Sequence, residues 1–241
     1  ADKREKAKRL VMEKRALLII GSPMCSAFSK IQGLNWSRMT PEKIQQVQED
    51  GRRHLEFCME LYRIQHDNGL YFLHEHPFHA SSWQNESVIK MLRENGVVKV
   101  KSHMCAFGMK DEDHQGGGLV KKPTGFMSSS RYIIQELDRK CTGDHDHVPL
   151  VGGRAAGAAI YPQALCEAIC RGTAKQKRMD RSENMIVNNG KMNTEQIRSF
   201  TNQLCSMQSR GSDAIKKVMS IRSSNGITRP TGEFLEHWTD E

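Results

Sequence analysis

The chain has 241 residues, with 36 Lys and Arg against 28 Asp and Glu and a formal charge of +8 at neutral pH. That length holds one ordinary domain plus an appendage, and the positive balance favours a polyanion partner, of which nucleic acid is the commonest. Hydrophobic residues make up 37% and mean hydropathy is −0.62, too low for a chain packed throughout, and no apolar run approaches the ~20 residues that cross a bilayer.

Seven cysteines, Cys25, Cys58, Cys105, Cys141, Cys166, Cys170 and Cys205, are scattered without a tight framework, and no signal-like segment opens the chain. This reads as free thiols in a reducing intracellular compartment, nucleus or cytoplasm. The first residue is Ala1 rather than Met, as expected of a processed chain or a fragment.

Residues 1–16 are good helix formers of mixed charge, and Ala7, Leu10, Val11 and Met12 mark a narrow apolar stripe. The run Leu17-Leu18-Ile19-Ile20, halted at Gly21, reads as a buried strand of a parallel sheet. The loop after it, Ser22-Pro23-Met24-Cys25-Ser26-Ala27-Phe28-Ser29, puts Cys25 just past a strand's carboxyl end, where open α/β sheets keep their chemistry. The plain alternative is a buried structural thiol. Thr40 and Pro41 form a cap and first turn for a long amphipathic helix that carries Ile44, Val47, Leu55, Cys58, Met59 and Tyr62 and stops at Asn68-Gly69. Leu70–Leu73 is a second buried strand running into His74-Glu75-His76-Pro77. Strand, helix and strand of this length form a βαβ unit with parallel neighbours.

Ser81–Asn95 reads as a helix stopped at Gly96, and Val97–Val100 as a third strand. Leu119–Met127 is a strand broken by Pro123, hence an edge or irregular piece. Ser129–Lys140 reads as a helix, Cys141–Gly153 as a loop dense in His, Asp and Gly, and the residues past Tyr161-Pro162 as a helix reaching Arg171. Beyond Gly172 polar residues dominate, so 1–172 is expected to fold and 173–241 to form a polar, loosely ordered C-terminal tail.

Two of these stretches resemble the cytosine-C5 DNA methyltransferases. The Ser22-Pro23-Met24-Cys25 loop is similar to that family's catalytic loop, whose cysteine attacks C6 of cytosine; the family has Pro directly before the cysteine, and here Met24 intervenes. The family's Glu-Asn-Val motif at the end of the next strand supplies an acid at N3; Glu75 stands in the matching place, followed by His76-Pro77. The chemistry explains these residue types. Thiolate addition at C6 makes C5 nucleophilic enough to take a methyl group, and an acid sharing its proton with N3 promotes the addition. Strands lie ~4.8 Å apart, so Cys25 and Glu75 are expected roughly 5–10 Å apart on one rim. More softly, Cys105–Gly108 with Lys121-Lys122-Pro123-Thr124 is similar to the region where the family places a base-contacting Arg, Lys121 and Lys122 being the nearest equivalents. Phosphate contact or plain solvated charge are the alternatives for these lysines.

The resemblance spans roughly residues 3–172 and is closest to divergent methyltransferase-like segments of phage and retroelement polyproteins. It implies an α/β fold: a partial Rossmann-like parallel sheet of the S-adenosylmethionine-dependent methyltransferase type, with flanking helices. It implies a DNA-binding transferase with Cys25 and Glu75 catalytic, and Pro23, Ser26, Lys121, Lys122, Thr124 and Arg154 binding substrate. The base would be flipped from the duplex, with Arg131 among further candidates for backbone contact. S-adenosylmethionine is the implied cofactor, but the Phe-x-Gly-x-Gly loop and acidic residue that hold it in the family are absent, so the chain reads as a catalytic-side fragment. The alternative is a non-catalytic nucleic-acid-binding remnant of a mobile-element polyprotein. Activation of Cys25 by His74 or His76 ranks below both, since nothing supplies the third, orienting group. Cys141, His145 and His147, with Cys105 as a distant fourth, offer zinc ligands, but the spacing is not a common structural pattern and no metal is assigned. The bland reading is a polar loop beside the rim.

Overall fold

The structure, a computed structural model, describes residues 3–29, 36–111, 118–150 and 157–189. Its elements are α1 (Lys3–Lys14), β1 (Leu18–Gly21), α2 (Pro41–Asp67), β2 (Tyr71–Pro77), α3 (Glu86–Leu92), β3 (Val98–His103), β4 (Lys110–Asp111), β5 (Gly118–Leu119), β6 (Pro123–Ser128), α4 (Arg131–Leu137) and α5 (Gln163–Asn189). Ala1–Gln176 form one compact unit and Lys177–Glu241 a second, of which only the last turns of α5 are described. Arg154 and the expected tail past Asn189 lie outside the described residues. Among the described residues no helix is long and apolar enough to cross a membrane.

Helix α2 follows its sequence signals. The Thr40 hydroxyl accepts from the Lys43 N–H at 3.3 Å, Pro41 opens the first turn, and Gly69 takes the left-handed conformation just past the end (φ 67°). Leu55, Cys58, Met59, Tyr62 and Gln65 form its buried stripe, while Arg52 bridges Glu49 and Glu56 on the wet side. Such exposed pairs stabilise a helix by only about 0.3–0.5 kcal/mol each, so the buried stripe decides where α2 sits.

The sheet has the order β1-β2-β6-β3. β1 and β2 are parallel neighbours, with Gly21 opposite His74, as the βαβ reading required. The sheet as a whole is mixed rather than parallel: β6 runs antiparallel to both of its neighbours and separates β2 from β3. The segment around Pro123 is therefore an inner strand, not an edge. Pro123 is its first residue, and proline is tolerated there because the missing N–H interrupts no interior ladder bond. β2 also outruns its apolar start. It continues through Pro77 with Phe72 to His76 all buried, because strands flank it on both sides and helices cover both faces.

On one face Phe72 and Met127 pack against Leu55, Met59 and Tyr62 of α2 and Val88 and Met91 of α3. On the other, Leu73 and Phe126 pack against Ile133 and Leu137 of α4 and Leu165, Ala168 and Ile169 of α5. Each fully buried side chain of this size contributes about 1.5–3 kcal/mol of hydrophobic transfer. α5 does not stop at the expected position near Gly172. It passes through that residue, where a Cβ would meet the Ile133 Cα at 2.6 Å, so the glycine marks a close crossing with α4 rather than a helix end.

Candidate functional site

The register gathers the chain's chemistry at one end of the sheet. Gly21, Pro77 and His103 end β1, β2 and β3 there, and the pairs Pro77–Thr124 and His103–Pro123 bring the start of β6 to the same rim. This is the carboxyl edge of the three strands that run in one direction, the usual place for ligands in open α/β sheets.

The Cys25 loop folds over that rim. Pro23 is buried, Cys25 is exposed and Ser26 is half-buried. The next turn, Ser26–Phe28, is closed by the Phe28 N–H on the Cys25 carbonyl at 3.0 Å and rests on α2 at Gly51. A Cβ on Gly51 would lie 2.3 Å from the Ala27 Cβ, so a glycine inside the helix is what lets the cysteine turn seat. The Met24 N–H donates to His54 Nδ1 at 3.5 Å, and the backbone of Pro23 and Met24 lies against the His76 ring.

Glu75 points to the opposite face of β2 from His74 and His76, on the side of α5. It is 7% exposed, and burial raises its pKa above the ordinary carboxyl value of 4.5. The Lys122 charge and the hydroxyls of Ser22 and Tyr161 pull the other way but do not cancel that effect. Ser22 Oγ and Tyr161 Oη are 2.6 Å apart, while Glu75 Oε1 is buried without a hydrogen-bond partner. Burial, and next the neighbouring Glu75 charge, raise the Tyr161 hydroxyl too. The result is a carboxyl biased toward its protonated form, with one oxygen uncommitted.

His74 and His76 are fully buried, each with its Nε2 lacking a hydrogen-bond partner. Burial depresses their pKa values to about 3 and about 4, which keeps both rings neutral. His74 Nδ1 meets the Tyr62 hydroxyl at 3.2 Å and His76 Nδ1 meets the Ser82 hydroxyl at 2.7 Å. The two rings stack with centroids 5.7 Å apart, and the edge of Phe28 meets His76.

Among the other sequence candidates, Lys122 lies beside Glu75 and donates to the Ala158 carbonyl at 2.8 Å, whereas Lys121 is exposed. Thr124 is fully buried, its hydroxyl donating to the Lys122 carbonyl at 3.2 Å. Arg131 is not brought to this rim: β6 runs away from it, so α4 starts at the other end of the sheet, where the guanidinium stacks on Tyr132. Sequence reasoning missed Ser22 and Tyr161 as partners of Glu75. The only signal for Tyr161 was a Tyr-Pro pair before a helix, and nothing local tied it to β2. Tyr161 also lines a cleft of about 600 Å3 together with Phe107, Met109, Val120, Leu150 and Ala164.

A second constellation closes at the same rim. The ligand atoms of Cys105, Cys141, His145 and His147 all lie within 4.8 Å of one another. The sequence left Cys105 distant; the fold brings it in by tying the residues after α4 to the end of β3. The His103 N–H donates to the Arg139 carbonyl at 3.0 Å, and the Cys141 N–H donates to His103 Nδ1 at 2.9 Å.

Compared with protein-family models, with curated proteins and with solved structures, the chain matches none.

Proposed function

We propose that this chain is the catalytic segment of a cytosine-C5 DNA methyltransferase-like domain, with Cys25 as nucleophile and Glu75 as the acid at N3 of a flipped cytosine. The observation that carries the reading is Glu75: a buried carboxyl biased toward protonation, with a free oxygen, on the strand next to the one that delivers an exposed cysteine. A carboxyl in water would be ionised and of little use as a proton donor at neutral pH; burial supplies the bias.

In this reaction the Cys25 thiol gives up its proton to solvent and its sulfur bonds to C6, the C5–C6 π pair shifts to C4–C5, and the C4–N3 π pair goes to N3, where it takes the proton held by Glu75. C5 is then electron-rich. Ser22 and Tyr161 orient the carboxyl, and the Lys122 ammonium offers charge for a phosphate or a base oxygen at the rim. S-adenosylmethionine would supply the methyl group in such enzymes. The residues around β1 do not fit it: the strand runs into Gly21-Ser22-Pro23, which folds over β2, and no glycine-rich turn follows.

That misfit favours a second reading, a non-catalytic nucleic-acid-binding remnant that keeps the basic charge. The two separate in one experiment. The full chain is incubated with duplex DNA carrying a 2-pyrimidinone base, a cytosine lacking its amino group, whose C6 accepts a thiolate readily. A denaturation-resistant adduct that is lost in Cys25→Ser is expected. An adduct that persists in Cys25→Ser defeats the assignment, and salt-dependent binding with no adduct selects the remnant.

A further inference from the structure

Cys105 sits in the turn Met104–Phe107 directly after β3, and Cys141, His145 and His147 come from the loop after α4. Cys141 Sγ is 3.6 Å from His145 Nε2 and 3.4 Å from His147 Nε2. A tetrahedral zinc ion with Zn–S of ~2.3 Å and Zn–N of ~2.05 Å places its sulfur and nitrogen ligands roughly 3.5 Å apart. These two spacings match tetrahedron edges, and the remaining pairs lie within 4.8 Å. Cys105 lies outside that loop, yet its sulfur sits within 4.8 Å of the loop's three ligand atoms.

The surroundings fit the same occupant. His145 Nδ1 is held by Asp144 Oδ1 at 2.7 Å, which turns Nε2 toward the sulfur and makes the carboxylate–histidine pairing that orients metal-bound imidazoles. The Gly143 N–H donates to Cys141 Sγ at 3.3 Å, a bond that fixes where the sulfur points. Two thiolates and two neutral imidazoles balance a divalent charge, and the mixed sulfur–nitrogen set suits zinc better than the oxygen-seeking Mg2+ or Ca2+. Cys105 is buried and the other three are half-buried.

We infer that Cys105, Cys141, His145 and His147 bind one Zn2+ in a closed, four-coordinate site whose role is structural. Four protein ligands leave no open position for water or substrate, which separates the site from catalytic zinc centres. Its task follows from the loop it holds. Residues 138–150 contain no helix or strand, and beyond the cluster they are fastened to β5 by the Leu119–His147 bridge and the Val148 N–H on the Leu119 carbonyl at 2.9 Å. The ion staples this loop to the Cys105 turn. The Met104 N–H in that turn donates to the Lys121 carbonyl at 2.9 Å, so the staple also steadies the segment that presents Lys121 and Lys122. The site is independent of Cys25 chemistry and stands whether or not the chain forms a DNA adduct.

The test uses the full chain, kept reduced, stripped with a chelator and titrated with Co2+. Saturation at one equivalent is expected, with thiolate-to-cobalt charge transfer and the intense ligand-field bands of tetrahedral Co2+, both bleached by Zn2+. Cys105→Ser and Cys141→Ser should each weaken the charge-transfer band and lower affinity at least tenfold, while Cys166→Ser on α5 leaves both unchanged. Since a ligand variant that fails to fold would mimic lost binding, the wild-type chain is also melted with and without Zn2+. A ligand held only by the folded state raises the melting temperature by mass action. Absence of the tetrahedral cobalt spectrum in the wild-type chain, a spectrum indifferent to both cysteine variants, or a melting temperature unmoved by Zn2+ would each overturn the site.

Discussion

Glu75→Gln separates a catalytic acid from a buried polar residue that merely tolerates its place. The amide keeps the volume and can still meet the Ser22 and Tyr161 hydroxyls, but it neither ionises nor transfers a proton. If Glu75 protonates N3, the rate of adduct formation on 2-pyrimidinone DNA should fall about 10²–10⁴-fold, the usual contribution of a positioned acid. That corresponds to about 2.7–5.5 kcal/mol of barrier at about 1.36 kcal/mol per tenfold. Stability should move the other way. The folded state raises this carboxyl's pKa, so its stabilising contribution is complete below the ordinary value of 4.5 and is lost as pH rises through the raised one. Glu75→Gln escapes that loss, so its melting temperature should gain on the wild type as pH increases and the advantage should vanish in acid. The assay is single-turnover adduct formation on denaturing gels, paired with thermal melts across pH. A Glu75→Gln protein that forms the adduct at the wild-type rate refutes the acid role. One whose stability relative to wild type ignores pH refutes the raised pKa on which that role depends.

Three further outcomes are expected. Gly172→Ala would drive a Cβ to 2.6 Å from the Ile133 Cα and 2.9 Å from its nitrogen, and because these are backbone atoms the clash should cost about 1–3 kcal/mol in urea unfolding, exceeding the ~1 kcal/mol of helix propensity gained; an unchanged midpoint would mean that α5 does not cross α4 there. Tyr62→Phe removes the hydroxyl shared by the Gly21 carbonyl and His74 Nδ1, each at 3.2 Å, and leaving that buried ring nitrogen unpaired should destabilise the fold by about 1–3 kcal/mol; equal urea midpoints for the two proteins would dismiss the network. The depressed pKa values of His74 and His76 mean that the unfolded chain takes up protons first as acid is added. Their contribution is present above the ordinary value of 6.5 and is lost as pH falls through it toward about 4, and His76→Gln should flatten that loss in pH-dependent melts; an identical slope in the variant would place the acid sensitivity elsewhere.

Local signals were enough for the parts whose physics is local. The Thr40 cap, the Pro41 start and the 3.6-residue stripe from Leu55 to Tyr62 define α2 before any partner is known. A strand, a helix of that length and a second strand force β1 and β2 to be parallel neighbours, and from this the placing of the Cys25 loop and the end of β2 at one rim of the sheet was legible. Other features have no local signature. Polar His74, Glu75 and His76 read as the end of a strand because alternation and hydropathy cannot anticipate burial on both faces. Pro123 read as an edge because only the sheet order reveals that it stands at a strand's first residue.

What the sequence alone determined, then, is the inventory and its short-range order: a cysteine after one strand, a carboxyl on the next, and cysteines and histidines in a polar loop. Tertiary structure decided the state and company of those groups. Desolvation raises Glu75 only once β2 is buried in the sheet, where Ser22, Lys122 and Tyr161 meet it from distant parts of the chain, and Cys105 joins Cys141, His145 and His147 only because the residues after α4 are hydrogen-bonded to the end of β3. Contacts between residues so far apart along the chain are selected by loop closure and by the burial of two apolar faces, and no repeat or spacing within a short window records them.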